Sequence, residues 1–444
     1  MIRKIRPRER DAIIQSLRSG VTPRAGIQYI QVGRINELKS IIHEIERVAD
    51  KGSTFKFVVG DFGAGKSFFL QLTRSIAQEQ GLVTMNADLA PDRRLQSTNG
   101  QALNLYQELI KNMATRAKAD GNAFQSIVEK FITICRQKAD TENKDCDDVI
   151  KESLLFLNDF VSGYDFAQVV RAYWKGFSTG DSELTNCAIK WFRGEYHTKT
   201  EANRDLKVRA IISDTTVYDY FKLLSAFVQA AGFKGLLITL DEMVNLYKIH
   251  NFKSREANYE QILRMLNDCL QGNVKGLGFI LGGTPDFIED PRKGLFSYEA
   301  LRSRLATNSF AQALNLNDLS GPIMQLNSLT PEELYVLLHN LRNVFAYFDE
   351  DKYLVPDEAL KQFLNHCYNT IGEAYFKTPR NTIKAFIDFL SVLEQNPELK
   401  WQDLINTVSI NKDMDDGLSE DLNDDSAISL KSNEEDDELT SFNL

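Results

Sequence analysis

The sequence has 444 residues, 43% of them hydrophobic and 26% charged, the proportions of a globular protein with material for two or three compact cores. No apolar run approaches the ~18 residues of a transmembrane helix, and the five cysteines (Cys135, Cys146, Cys187, Cys269, Cys367) form no C-x-x-C pair, which argues against structural zinc and a disulfide framework. The net charge of −10 belongs to the end of the chain: positions 411–444 hold 12 acidic residues and 2 lysines, leaving 50 acids and 50 bases for the rest.

Residues 1–30 form a basic arm, with Arg3, Lys4, Arg6, Arg8, Arg10, Arg18 and Arg24 against Glu9 and Asp11. Such an arm suits a phosphate backbone or an acidic partner surface. The helical spacing over 7–17 equally suits a solvated helix packed on the body. The opening MIRKIRPRERDAII has no apolar stretch behind its charges, so a secretory signal is not expected and the expected compartment is the cytoplasm. Gly20 and Pro23 break the chain, and Val32-Gly33-Arg34-Ile35-Asn36-Glu37-Leu38 leads into an amphipathic helix through Val48.

Positions 55–59 (FKFVV) read as a buried strand that runs into Gly60-Asp61-Phe62-Gly63-Ala64-Gly65-Lys66-Ser67 and then the helical Phe68-Phe69-Leu70. This is G-x-x-x-x-G-K-[ST] in the strand–loop–helix setting that the motif needs. Its glycines let successive N–H groups face phosphate oxygens, and the helix N-terminus adds partial positive charge. Lys66 would reach the β- and γ-phosphates and Ser67 would hold Mg²⁺. Residues Gly60 through Phe68 are thus the expected phosphate-binding set, and the chain is expected to bind a nucleoside triphosphate.

A second strand spans 82–89, followed by the charged loop Pro91-Asp92-Arg93-Arg94-Leu95. From about 101 to 206 the periodicity is helical, far more chain than a simple P-loop core needs between strands, and this reads as a helical insertion. Positions 193–209 are richer in bases, a pattern shared by nucleic-acid-binding and ordinary solvated faces. Ser213 or Asp214 is the expected N-cap of a helix over 216–231. The apolar strand 236–240 ends in Asp241-Glu242. At the carboxyl edge of a parallel sheet, Asp241 can support Mg²⁺ beside Ser67 and Glu242 can polarise an attacking water. The glutamate argues for hydrolysis and not binding alone.

A helix over 256–272 leads to the strand 276–283 and to Thr284-Pro285. Arg302-Ser303-Arg304-Leu305 follows, then a fifth strand at 322–326. Thr330-Pro331-Glu332-Glu333 has the N-cap, the N1 proline and the N3 glutamate of a capping box. Helical periodicity then continues to about Glu394 through Thr378-Pro379-Arg380-Asn381-Thr382. Beyond Asn411 there is no aromatic residue until Phe442, and the composition predicts a disordered tail.

Several of these stretches resemble AAA+ ATPases of the origin-recognition and STAND branches. That resemblance places Gly33 and Arg34 against the adenine and ribose. It makes Thr284 a γ-phosphate sensor at the tip of a strand lying between the two Walker strands. It gives Arg304 (with Arg302 the alternative) as an arginine finger for a neighbouring subunit, and Arg380 as a second sensor in a small helical lid. A turn threonine and surface arginines are the plainer readings of the same residues. A closer resemblance is carried by Ile5-Arg6-Pro7-Arg8-Glu9-Arg10, Gly20-Val21-Thr22-Pro23-Arg24, Val32-Gly33-Arg34, the stretch FVVGDFGAGKSFFL at 57–70 and ADLAPDRRL at 87–95. These look like the BrxC/BrxD family, P-loop ATP-binding proteins of bacteriophage-exclusion (BREX) defence systems, with the length of the short BrxD. The resemblance covers roughly 1–400 and implies an anti-phage role beside a helicase-like partner.

The expected fold is α/β, an AAA+/ASCE P-loop NTPase: basic arm 1–30, parallel-sheet core 31–326 with the helical insertion, C-terminal α-helical lid 327–410, and acidic tail 411–444. The expected function is an ATPase using ATP and Mg²⁺, with Glu242, Lys66, Thr284, Arg304 and Arg380 in catalytic roles and Ser67 and Asp241 at the metal. Its cycle would control homo-oligomer assembly and engagement of DNA or a helicase-like partner, with no membrane partner. A STAND-like switch with little turnover and a helicase-loading scaffold are the alternatives.

Overall fold

A computed structural model of the protein describes residues 5–306, 318–371 and 379–405; the acidic tail and Arg3, Lys4 and Thr378 lie outside the described residues. Helices α1 (Pro7–Arg18) and α2 (Ile35–Ala49) precede strand β1 (Ser53–Val59), which turns into α3 (Lys66–Glu79). After β2 (Val83–Asp88) come α4 (Gln101–Lys111), α5 (Phe124–Glu142), α6 (Cys146–Ser153), α7 (Gly163–Thr179), α8 (Ser182–Phe192), α9 (Lys199–Leu206) and α10 (Val217–Ala230). The chain returns to the sheet at β3 (Leu236–Asp241), and the short α11 (Val244–Tyr247) and longer α12 (Phe252–Leu270) lead to β4 (Leu277–Gly283). Next are α13 (Pro285–Glu289), α14 (Glu299–Leu305) and β5 (Ile323–Gln325), then α15 (Pro331–Phe345), α16 (Asp357–Ile371), α17 (Pro379–Gln395) and α18 (Trp401–Ile405).

The five strands make one sheet in the order β2-β3-β4-β1-β5, every pair parallel. β1 and β4 run in register from Ser53 opposite Leu277 to Val59 opposite Gly283, so the turns after β1, β3 and β4 emerge side by side. A parallel sheet buried on both faces needs near-continuous apolar strands. Accordingly Phe55, Phe57, Ile238, Leu240, Phe279 and Leu281 face one core. Val58, Leu237, Ile280 and Met324 face the other, with Ile41, Ile45 and Val48 of α2 and Phe69, Leu70 and Ala77 of α3. The mixed α/β architecture is consistent with a P-loop NTPase-like fold.

The helices after β2 share the first of these cores. Ring contacts run unbroken from Phe55 through Phe279, Phe221, Tyr106, Tyr220 and Trp191 to Phe192. The inserted helices therefore thicken one face of the sheet and have no separate core. Two local expectations need correction. Asp214 caps α4 and not the helix that follows it: its carboxylate accepts from Gly100 N at 2.7 Å and Leu103 N at 2.9 Å, while α10, with Thr216 as its N-cap residue, has no side-chain cap from Asp214 or Ser213. α12 starts earlier than expected because Asn251 caps it, accepting from Ser254 N at 3.0 Å.

A second cluster joins the two ends of the described chain: Ile5, Ile13 and Ile14 pack with Leu338, Leu341, Phe386 and Leu390. Arg10 of α1 is only 8% exposed. Its Nε donates to Phe345 O at 3.0 Å, its guanidinium pairs with Glu394, and it lies over the Phe345 and Tyr347 rings. Arg18 pairs with Asp388 at 3.5 Å and donates to Ser391. Part of the basic arm is thus bound to α15 and α17, while Arg6, Arg8 and Arg24 stay exposed. Among the described residues no helix is long and apolar enough to cross a membrane.

One ammonium lies inside the sheet. Lys56 is 2% exposed, and its Nζ donates to the carbonyls of Leu319 at 2.9 Å, Ser320 at 3.1 Å and Gly321 at 2.6 Å, 3.3 Å from the buried Glu44 carboxylate. Thr54 donates to the same carboxylate at 2.6 Å. This cluster fastens the approach to β5 against β1 and α2. Lys56→Met leaves the buried Glu44 carboxylate with the Thr54 hydroxyl and the largely exposed Arg47, 3.5 Å away, as its remaining partners, so a loss of about 3 kcal/mol is expected by urea unfolding. Glu44→Gln added to Lys56→Met is expected to recover part of it.

Candidate nucleotide-binding site

The site is built where β1, β3 and β4 end together. Between Val59 and Lys66 the backbone curls through Gly63 at φ +75° and Gly65 at φ +85°, a left-handed conformation that glycine reaches without strain. Gly65 is the N-cap of α3, so the first N–H groups of that helix point into the turn. Lys66 Nζ donates to the carbonyls of Gly60 at 2.8 Å and Asp61 at 2.9 Å, 5.5 Å from the Phe62 ring centre. Burial pushes the Lys66 ammonium below its ordinary range, opposed by Asp241, Glu242 and Asp61. A desolvated cation beside helix N-terminal donors is an anion-binding arrangement.

Across β4 from this loop, β3 ends in Asp241 and Glu242. Ser67 Oγ donates to Asp241 Oδ2 at 2.6 Å, and Asp241 Oδ1 accepts from Glu242 N at 2.9 Å. The carboxylate fits because Gly282 of β4 has no side chain: a Cβ there would lie 2.4 Å from Asp241 Oδ1. Glu242 itself sits at φ +56°, sparsely populated for a non-glycine residue and common where the backbone must aim a functional group. Burial, reinforced by Asp241, pushes the Glu242 carboxyl above the usual carboxylate range. The hydroxyl and carboxylate are hard oxygen donors that fit Mg²⁺, a cation usually held by one or two carboxylates together with water and phosphate oxygens. Among the described residues no group of three or more His, Cys, Asp or Glu could hold a metal ion unaided.

Two nearby residues are not among the expected site residues. Asp88, the last residue of β2, stands opposite Asp241 in the strand register, and burial together with Asp241 pushes its carboxyl up. Arg74 of α3 is pushed down to about 10 by burial, with Asp88 opposing and Arg24 reinforcing the shift. Only the parallel register and the helix face bring them to the site; their spacing in the sequence gave no hint.

A cavity of about 240 Å³ opens beside the loop, lined by Lys66, Ser67, Asp241 and Glu242 and by the apolar Val21, Ile30, Val32, Leu337 and Ile383. Phe62, Gly63, Ala64, Gly65 and Phe68 also face it, while the carbonyls of Gly60 and Asp61 serve as the Lys66 acceptors. Thr284 lines it as well, 4% exposed, with its hydroxyl accepting from Phe287 N at 3.4 Å as the cap of α13. Arg380 of α17 is exposed and lines the cavity against Gly20, where a Cβ would come within 2.8 Å of Arg380 Nε. Arg34 lines it too, but its guanidinium turns to the loop backbone, donating to Ala64 O and, at 3.4 Å, to Gly65 O. Gly33 is not a lining residue. Nor is Arg304, whose Nε donates to Asn267 Oδ1 at 2.6 Å and Nη1 to Ala300 O at 2.8 Å, nor Arg302, 3.9 Å from Glu299. Of the expected site residues, Gly33, Gly60, Asp61 and the finger candidates do not line this cavity, and Gly60 and Asp61 join the site only through Lys66.

Residues 5–409 match the family model described as BREX system ATP-binding protein BrxC/D, and the chain belongs to that family. No curated protein matches the chain. Gly282→Ala should displace Asp241 from Ser67 and weaken ATP binding about tenfold or more by calorimetry, with the far-UV circular dichroism unchanged.

Proposed function

Starting from membership of an ATP-binding family of BREX phage defence, we propose that the protein is a Mg²⁺-dependent ATPase of the AAA+/ASCE type whose cycle controls oligomer assembly and engagement of DNA or a helicase-like partner. The observation that carries this reading is the Ser67–Asp241 contact with Glu242 next in the chain, all within the reach of Lys66. The position of β4 between β1 and β3, with Thr284 at its tip, supports the ASCE arrangement.

In this reading Lys66 exchanges its two loop carbonyls for β- and γ-phosphate oxygens, and the N–H groups of the Gly63–Lys66 turn close around the phosphates. Bound Mg²⁺ would supply positive charge to offset the negative charge developing on the phosphates. Ser67 and Asp241 hold it on the protein side. Glu242 orients a water toward the γ-phosphorus and accepts its proton as the bond to the ADP oxygen breaks, giving ADP and phosphate. The apolar lining of the cavity takes the base. Arg380 reaches the phosphates from α17, with α15–α18 acting as the lid, and exposed Arg304 serves the site of a neighbouring copy. Arg6, Arg8 and Arg24 are the candidates for a phosphate backbone.

One observation favours the slow-turnover switch. The segment that follows α1 lines the cavity through Gly20, Val21 and Thr22, and α1 is itself fixed to α15 and α17, so a wall of the cavity is tied to this assembly and nucleotide exchange would be slow if the wall must move. Steady-state hydrolysis with and without single- and double-stranded DNA separates the two. A DNA-coupled ATPase gives stimulated turnover that is lost with Lys66→Ala or EDTA. Glu242→Gln is expected to cut it by about a hundredfold or more while ATP still binds. Negligible turnover with ATP bound would contradict the DNA-coupled ATPase and leave the switch.

A further inference from the structure

The Gly33-Arg34 turn is contacted from two sides. On one, the Arg34 guanidinium donates to the carbonyls of Ala64 and Gly65, the last two residues of the phosphate loop before Lys66. Those carbonyls belong to the same peptides as the Gly65 and Lys66 N–H groups, so fixing the carbonyls fixes the orientation of those donors. Arg34 takes a left-handed backbone at φ +57° to do so, and its Nε is buried without a hydrogen-bond partner. On the other side lies Glu333 of α15. A Cβ on Gly33 would sit 2.2 Å from Glu333 Oε1 and 2.5 Å from its Cδ, so the carboxylate rests directly over the glycine backbone. Gly33 also has φ +62°, which makes a side chain there doubly unfavourable.

We infer that Glu333 and Arg34 form a positioning pair for the phosphate loop, through which the first turn of α15 sets how well the loop binds a triphosphate. Burial disfavours the Arg34 cation, and the charges of Glu37 and Glu333 offset that penalty. Without the Glu333 charge, Arg34 is less well held over the Ala64 and Gly65 carbonyls. Neither residue needs to touch the reacting atoms. Any movement of α15 that withdraws Glu333 would then loosen the loop, so α15 and the bound nucleotide would each favour the position that suits the other.

Glu333 has a second task that a test must separate. It is the N3 residue of the α15 capping box: Glu333 Oε2 accepts from Thr330 N at 2.9 Å and Thr330 Oγ1 accepts from Glu333 N at 3.2 Å. Glutamine also serves at N3, so Glu333→Gln keeps the cap and removes only the charge. Thr330→Ala does the reverse. The inference rests on the proposed nucleotide site, so calorimetric titration of MgATP into the full chain includes wild type and Lys66→Ala. Glu333→Gln is expected to weaken binding about fivefold or more with an unchanged thermal midpoint. Thr330→Ala should lower the midpoint and leave affinity unchanged. In an Arg34→Gln background, Glu333→Gln should cost nothing further, the non-additivity of residues acting in series. Wild-type affinity in Glu333→Gln, or an equal added loss in the Arg34→Gln background, would overturn the pairing while leaving the site intact. A wild type that binds no better than Lys66→Ala would overturn the site, and the pairing with it.

Discussion

The hydrogen bond from Ser67 to Asp241 joins two elements that are not neighbours in the sheet. Ser67 opens α3 at the end of β1, Asp241 ends β3, and β4 runs between them. The contact exists only if three parallel strands end level, and only if the middle strand leaves room. Gly282 supplies that room by lacking a side chain where Asp241 crosses. The apolar faces of β1, β3 and β4, buried against α2 and α3 on one side and the inserted helices on the other, hold the strand ends in this alignment. Core packing thus sets site geometry: a shift of one strand along the sheet would move a carboxylate away from the hydroxyl.

Around that contact the charges are arranged in opposition. Asp88, Asp241 and Glu242 share one edge with Lys66 and Arg74, and burial raises the cost of the charges on Asp88, Glu242, Lys66 and Arg74. A polyanion carrying its own divalent cation fits such a place, since phosphate oxygens satisfy Lys66 and the loop N–H groups while the cation satisfies the carboxylates. The same economy of contacts appears at the rim, where Arg34, Gly20 and Arg380 tie the loop, the segment after α1 and α17 to one cavity.

How much of this could be read from the sequence depended on distance along the chain. The phosphate loop was legible because strand, glycines, lysine and helix follow one another within about 15 residues. Asp241 and Glu242 were legible because an apolar strand that ends in two acids is a local signal. The capping box at Thr330 was legible for the same reason. By contrast, Asp214 looks like the cap of the next helix but reaches α4, more than a hundred residues earlier, because the fold brings Gly100 to it. Asp88 lies in the stretch ADLAPDRRL, but its place beside Asp241 comes from the strand register. Lys56 looks like a break in the apolar pattern of β1, and only the carbonyls of 319–321 and Glu44 explain its burial. The run of arginines in the arm did not reveal that Arg10 and Arg18 are matched by Glu394 and Asp388 on α17, since ion pairs between chain ends leave no trace in local composition.

The most direct test of the nucleotide site is a crystal structure with a non-hydrolysable ATP analogue and Mg²⁺. The expected result has Lys66 Nζ released from the Gly60 and Asp61 carbonyls onto the β- and γ-phosphates, and the metal between Ser67 Oγ and the Asp241 carboxylate. It also has the base among Val21, Ile30 and Val32. A triphosphate seated elsewhere, with Lys66 still on its own loop and Ser67 still on Asp241, would contradict it.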